Sequence, residues 1–220
     1  MLKSSTLNFL RALKQNNNRN WFEANRTEYE NAKSDFALMV EEIILSVSKV
    51  DPSLADLKLK DCTFRINRDV RFSKDKSPYK TNMAALFSKG GKKAMVAGYY
   101  FHCEPGQSFT GGGFYTPMPA ELSKIRQEID YNFDEWSNII QHKKFKAVFK
   151  NGLEVNDSLK RPPKGYDEEN PAIHYLKMKG YIVTHPVEDG LLTGKNAVKE
   201  INRTFEAMKP LIDFLNHAVA

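Results

Sequence analysis

Three arginines spaced three residues apart, Arg65, Arg68 and Arg71, open the densest run of chemically capable side chains in the sequence. Lys74, Lys76, Tyr79 and Lys80 follow, with Asp69, Phe72 and Asp75 interleaved. A guanidinium offers a planar fork of N–H donors that matches phosphate or carboxylate. A spacing of three does not hold such groups on one face of a strand, so they converge only where a strand runs into an irregular loop. Phe72 and Tyr79 are of the type that stacks on a base, and Tyr79 adds a hydroxyl. From Lys58 to Lys93 eleven Lys or Arg residues face only Asp61, Asp69 and Asp75, a net +8 in a chain whose total is +6, so the remainder carries −2. Clustering of that kind is the footprint of a surface that meets an anion. The same residues also suit an ion-paired structural loop, in which Asp69 and Asp75 neutralise the cations and the aromatics plug the core. Arg65, Arg68, Arg71, Lys74, Lys76, Tyr79 and Lys80 are therefore the candidate ligand-binding set, with both readings of the loop open.

Proton transfer has two weak candidates, Asp69 beside these cations and His102 on a candidate strand; His185 lies on another strand. No two of the five histidines are four apart, and His102 and its neighbour Cys103 would point to opposite faces of a strand, so no metal site is expected. Gly111-Gly112-Gly113 precedes a helix start near Pro119. Glycines there either turn backbone N–H groups toward an anion or mark a bulge or a close backbone crossing. The phosphate-loop pattern is missing, because Gly190 to Asn196 has the wrong spacing and no hydroxyl after its lysine. No Gly-x-Ser-x-Gly elbow occurs, and no cofactor is expected.

These groups must be positioned by a mixture of helices and strands. Leu7, Leu10 and Leu13 give a helix over Thr6–Gln15 capped by Ser5 or Thr6. Asn20 and Glu23 start a second helical stretch that runs to about Ser48, with Phe36, Val40, Ile43, Ile44 and Val47 on one face. The middle alternates as β-structure: Cys62–Asn67, Met83–Ser88, Met95–Glu104 and Gln107–Tyr115. In the third of these Tyr99, Phe101 and Cys103 oppose Gly98, Tyr100 and His102. Short glycine turns between the last three favour antiparallel pairing. Helices resume from Pro119 and again over Phe133–Ile140, while 143–150 is ambiguous. Asn170-Pro171 starts a helix of about nine residues closed by Gly180, Tyr181–His185 is a strand, and a last helix runs from Thr193 to the end with a kink or restart at Pro210. The expected architecture is α+β, a mainly antiparallel sheet flanked by N- and C-terminal helices, in a single domain over 1–220.

A hydrophobic content of 41% with 27% charged residues is a globular composition. The longest apolar runs, such as Met95–Phe101, fall far short of the ~20 residues that cross a bilayer. The first residues lack an apolar signal core, and Cys62 and Cys103 are too few for a disulfide framework. A soluble cytoplasmic protein without membrane association, its two thiols free, is the expectation.

The run Arg68-Asp69-Val70-Arg71-Phe72-Ser73-Lys74-Asp75-Lys76-Ser77-Pro78-Tyr79-Lys80-Thr81-Asn82 resembles the signature of a conserved bacterial and fungal family, domain of unknown function 2461. Gly98–His102 through Gly111–Pro117, and Leu159–Asp167 through Asn170-Pro171, resemble it further and in the same order. Where other members often place an acidic residue and a histidine before the proline, this chain has Glu169-Asn170, so no histidine chemistry is available at 170. The resemblance implies one family domain and carries no activity, substrate or catalytic residue with it. The leading functional expectation comes from the residues: a phosphate-bearing or other anionic ligand bound through the basic loop 65–82. Two alternatives stand beside it. One is an enzyme acting on an anionic small molecule, with Asp69 or His102 moving protons. The other is a module that docks on nucleic acid or an acidic partner.

Overall fold

A computed structural model of the chain describes residues 1–155 and 157–220. Helix α1 (Ser4–Gln15) buries the leucine stripe read from the sequence, but its cap lies two or three residues earlier than expected, at Lys3. Thr6 is spent elsewhere: its hydroxyl donates to the buried Asp35 carboxylate at 2.6 Å, which also accepts the Lys3 N–H at 2.8 Å. Helix α2 (Arg19–Ala24) is capped by Asn18 rather than Asn20, the Asn18 side chain accepting the Trp21 N–H at 2.9 Å. Helix α3 (Arg26–Val50) buries Phe36, Val40, Ile43, Ile44 and Val47 and ends before a single 3₁₀ turn at Pro52–Leu54.

One expected strand does not form. Cys62 closes a short helix, α4 (Leu59–Cys62), because the Asp61 carboxylate accepts the Lys58 N–H and the Thr63 hydroxyl bonds back to the Leu59 carbonyl. Beyond it only isolated bridges remain, Thr63 to Ala85 and Asn67 to Tyr79. Cys62 and Ile66 stay buried, whereas Phe64 turns outward.

The sheet is a four-stranded antiparallel meander in the order β1 (Met83–Phe87), β2 (Gly98–Cys103), β3 (Phe109–Phe114), β4 (Tyr181–Pro186). Between β3 and β4 lie α5 (Pro119–Tyr131), α6 (Phe133–Gln141), α7 (Lys143–Val148) and α8 (Ile173–Leu176). Helix α8 is four residues rather than nine, because the chain around 177–179 leaves it to pair with 157–159: Leu159 donates to the Lys177 carbonyl and Lys179 to that of Asp157. Asn170 still caps the turn before it, accepting the Ala172 N–H at 2.8 Å and donating to Asp130 at 2.6 Å. After α9 (Asp189–Leu192), α10 (Ala197–Val219) runs unbroken through Pro210. The carbonyl that Pro210 leaves without a donor belongs to Glu206, which is exposed, so water can serve it.

Strand periodicity gives the sheet two faces. Met83, Ala85, Phe87, Tyr99, Phe101, Cys103 and Val183 face α3 and α10. There Phe36 stacks on Phe101 at 5.9 Å, and Phe205 packs on Phe87 and Tyr99 at 5.8 and 5.2 Å. Gly112 shares this face because a Cβ there would stand 2.4 Å from Met208 Sδ. Cys62 and Cys103 are free, buried thiols, pushed up to about 11 and about 12 chiefly by burial. No helix among the described residues is long and apolar enough to cross a membrane.

Candidate functional site

The signature run is a hairpin standing on the edge of the sheet. Its stem is made by Arg68 N–H to the Pro78 carbonyl at 2.9 Å, Lys80 N–H to the Ile66 carbonyl at 2.8 Å and the bridge between Asn67 and Tyr79. Asn17, in the turn between α1 and α2, clamps the stem by exchanging two hydrogen bonds with the Tyr79 backbone, at 2.9 and 3.1 Å. The Tyr79 ring is 6% exposed and stacks on Phe22 with centroids 3.9 Å apart. It anchors the hairpin to the core and offers no face to a ligand. Toward the tip the charges pair internally. Arg68 bonds to Asp75 and to the Ser77 carbonyl at 3.1 Å; Arg71 holds Asp69 in a two-pronged pair at 3.0 and 2.7 Å; Lys76 donates to the Val70 carbonyl at 3.0 Å. Asp75 is held down to about 2 by the Ser77 hydroxyl and N–H and then by Arg68. Lys74 points to solvent, and Phe72 at the tip is 96% exposed.

Besides Lys74 at the tip, two cations at the base of the hairpin escape this pairing. Neither Arg65 nor Lys80 has a carboxylate partner among the described residues. Lys80 Nζ stands 5.4 Å from the centre of the Phe64 ring, and its pKa is lowered, first by burial and then by the Arg65 charge. Lys80 also lines a hollow with Arg68, Asp69, Asn82, Tyr100 and His102. Through Phe64, Tyr100 and His102 that hollow opens into a cleft of about 530 Å³ on the sheet face away from α3 and α10. The register explains the cleft: Gly98 pairs with Gly113 and Tyr100 with Gly111, which leaves the centre of this face without side chains. Leu86, Phe109 and Ile182 wall it, and Glu154, accepting a hydrogen bond from Thr184, stands at the far end.

Along β2 this face carries Tyr100, His102 and, just past the strand, Glu104. Tyr100 Oη lies 3.2 Å from His102 Nδ1, and His102 Nε2 lies 3.2 Å from Glu104 Oε2. The imidazole stacks on Phe109 at 4.7 Å and 14°. Glu104 also accepts from the Thr81 hydroxyl at 3.0 Å and Lys14 Nζ at 3.3 Å. Burial opposes its ionisation, but the bonds from His102, Thr81 and Lys14 outweigh that and lower its pKa. The Tyr100 phenol is raised by burial.

The family model described as Conserved hypothetical protein (DUF2461) matches residues 5–214. The chain belongs to this family. No curated protein and no solved structure matches it.

In this DUF2461 protein the seven residues of the basic set therefore separate. Arg68 and Lys80 reach the hollow at the cleft mouth and Arg65 lies close to Lys80. Arg71, Lys74 and Lys76 belong to the hairpin tip, and Tyr79 to the core. Asp69 and His102 line the same hollow, although Asp69 is committed to Arg71. His185 faces the other side of the sheet and bonds to the Val148 carbonyl at 3.0 Å. The amides of Gly111–Gly113 lie within the paired strands β2, β3 and β4, so the anion-nest reading of that run gives way to close backbone approach. A Cβ on Gly113, whose φ is +124°, would stand 1.9 Å from the Tyr181 carbonyl oxygen. Among the described residues no group of three His, Cys, Asp or Glu side chains is placed to hold a metal ion.

Three residues went unnoticed in the sequence. Glu104 was legible by extending the alternation of Tyr100 and His102 one step. Glu154 and Arg126 carried no local signal. Arg126 lines an adjoining hollow that shares Tyr115, Glu154 and Ile182 with the cleft; it donates to the Met178 carbonyl at 3.1 Å and keeps a buried Nε without a partner among the described residues.

Proposed function

We propose that this protein binds a small anionic ligand with a flat apolar or aromatic body in the cleft on the open sheet face, a phosphate or similar group resting against Lys80 and Arg65. The observation that carries the reading is Lys80. It is a partly buried ammonium without a counter-ion among the described residues, pressed by a second cation, at the mouth of a glycine-floored aromatic cleft. A desolvated cation of that kind gains more from an arriving anion than a solvated one. Arg68, already satisfied by Asp75, supports the mouth, whereas Arg71, Lys74 and Lys76 at the tip supply only a general positive field. Two buried free thiols fit a reducing, cytoplasmic setting.

Phenylphosphonate is a suitable probe because it joins a ring to a dianion through a bond that hydrolysis does not break. Titration by calorimetry should give saturable binding to the parent protein. Lys80→Gln should weaken it by roughly 10- to 100-fold, the equivalent of a charge-assisted hydrogen bond worth about 1.5–3 kcal/mol. Arg71→Ala should leave affinity nearly unchanged. Equal losses in both variants would point to a diffuse field and contradict a site at Lys80. The exposed Phe72, with the Arg71 guanidinium 5.8 Å from its ring, favours a second reading in which the tip stacks on single-stranded nucleic acid. In that case an oligonucleotide binds with steep salt dependence and loses affinity in Phe72→Ala, while phenylphosphonate does not bind.

A further inference from the structure

Tyr100, His102 and Glu104 are linked in an order that binding alone does not require. An ionised carboxylate only accepts hydrogen bonds, and Glu104 takes two from donors other than His102, the Thr81 hydroxyl and Lys14 Nζ. His102 Nε2 must then carry the ring's proton toward Glu104, which leaves Nδ1 of the neutral imidazole bare and facing the Tyr100 hydroxyl at 3.2 Å. Stacking on Phe109 fixes the ring in that orientation. Group, base and orienting carboxylate thus stand in the arrangement by which proteins activate weak nucleophiles. Tyr100 needs such help: burial holds its phenol protonated, so it can form a bond only if a base removes the proton as the bond forms. The phenol lines both the cleft and the hollow that holds Lys80.

We propose that Tyr100 is a nucleophile in this cleft, with His102 as its general base and Glu104 as the residue that positions His102, and that its substrate is a phosphate ester whose phosphoryl group lies against Lys80. Tyr100 Oη forms the bond to phosphorus as the bond to the ester oxygen breaks. The phenolic proton passes to His102 Nδ1 and from there to the departing oxygen. Water then attacks the phosphotyrosyl phosphorus with His102 taking its proton, the Oη–phosphorus bond breaks, and Tyr100 recovers a proton from His102. This activity rests on the reading of the cleft as the anion site.

The test needs no knowledge of the natural ester. The probe 4-(fluorosulfonyl)benzoate carries a ring, an anion and an electrophilic sulfur; attack by Tyr100 Oη forms an O–S bond, expels fluoride and delivers the phenolic proton to His102. The intact protein is incubated with this probe and the nine tyrosines are mapped by mass spectrometry over time. Tyr100 is expected to be modified faster than the exposed Tyr131, which lies outside the cleft. His102→Gln preserves hydrogen bonding but cannot take the proton, and should slow Tyr100 modification roughly 10²-fold. Glu104→Gln should slow it less. Modification of Tyr100 no faster than of Tyr131, or at the parent's rate in His102→Gln, overturns the proposal. Should that variant fail to fold, nitrogen NMR of His102 in the parent decides: a protonated Nε2 and a bare Nδ1 support the relay, and the opposite tautomer contradicts it. Phenylphosphonate added as a competitor separates the two ideas. Selective, His102-dependent modification that it does not slow keeps the relay and contradicts the anion cleft. Phenylphosphonate binding without selective modification keeps the cleft and contradicts the relay.

Discussion

Asp75, an exposed carboxylate of the hairpin, gathers three hydrogen bonds, from the Ser77 hydroxyl at 2.6 Å, the Ser77 N–H at 2.9 Å and Arg68. Its pKa of about 2 lies below that of an unfolded aspartate, about 3.9. A depressed folded pKa means that the stabilisation is complete above the unfolded value and is lost as pH falls through the folded one. The hairpin tip should therefore stay ordered at pH 5 and loosen between about pH 4 and pH 2. Because Asp75 is exposed the change is local, and exchange of the Ser77 amide hydrogen reports it better than a melting curve. Asp69 and Asp75 as partners for the arginines were legible in the sequence. Which arginine takes which carboxylate was not, because Arg71 reaches back two residues while Arg68 crosses the loop to a position seven residues on. Tyr79 makes the same point: its type suits stacking, and only Phe22 and Asn17, some sixty residues away, turn it inward.

Strand alternation was a reliable guide where both neighbours of a strand were also strands. The two faces of β2 follow from sequence, and with them the shared face of Tyr100 and His102. Alternation failed over 62–67, where one side-chain bond from Asp61 to the Lys58 N–H turns the chain into α4 before a ladder can form. The glycines of β3 illustrate what a strand gives up to fit its surroundings. Gly112 lets α10 approach until Met208 Sδ occupies the space of a Cβ, and the Gly98 carbonyl would stand 2.8 Å from the same atom. Gly112→Ala should destabilise by about 1–3 kcal/mol, the usual result of overpacking. Met208→Ala in the same chain should recover part of the loss attributable to that overlap, since the sulfur is then gone while the backbone contact remains. Denaturant midpoints of the parent, both single variants and the double variant measure this coupling.

At the scale of the molecule the sheet has one face covered by α3 and α10 and one that holds the cleft. Sequence does not distinguish them, because Leu86, Phe109 and Ile182 make the open face apolar as well. What separates the faces is the length and direction of two helices at opposite ends of the chain, which only the folded arrangement brings together on one side. The cleft then lies between the hairpin edge, with Lys80, and the β4 side, with Glu154, and its central emptiness comes from glycines paired across strands. A ligand placed there must perturb residues from three strands and the hairpin stem together, and must leave the hairpin tip alone. Chemical-shift mapping of phenylphosphonate on isotope-labelled protein tests this most directly. The account predicts changes at Lys80, Tyr100, His102, Phe109, Gly111 and Thr184 that saturate together, with the Lys80 ammonium pKa rising as its counter-ion arrives. Shifts confined to Arg71–Lys76 at the tip, with the sheet face silent, would contradict it.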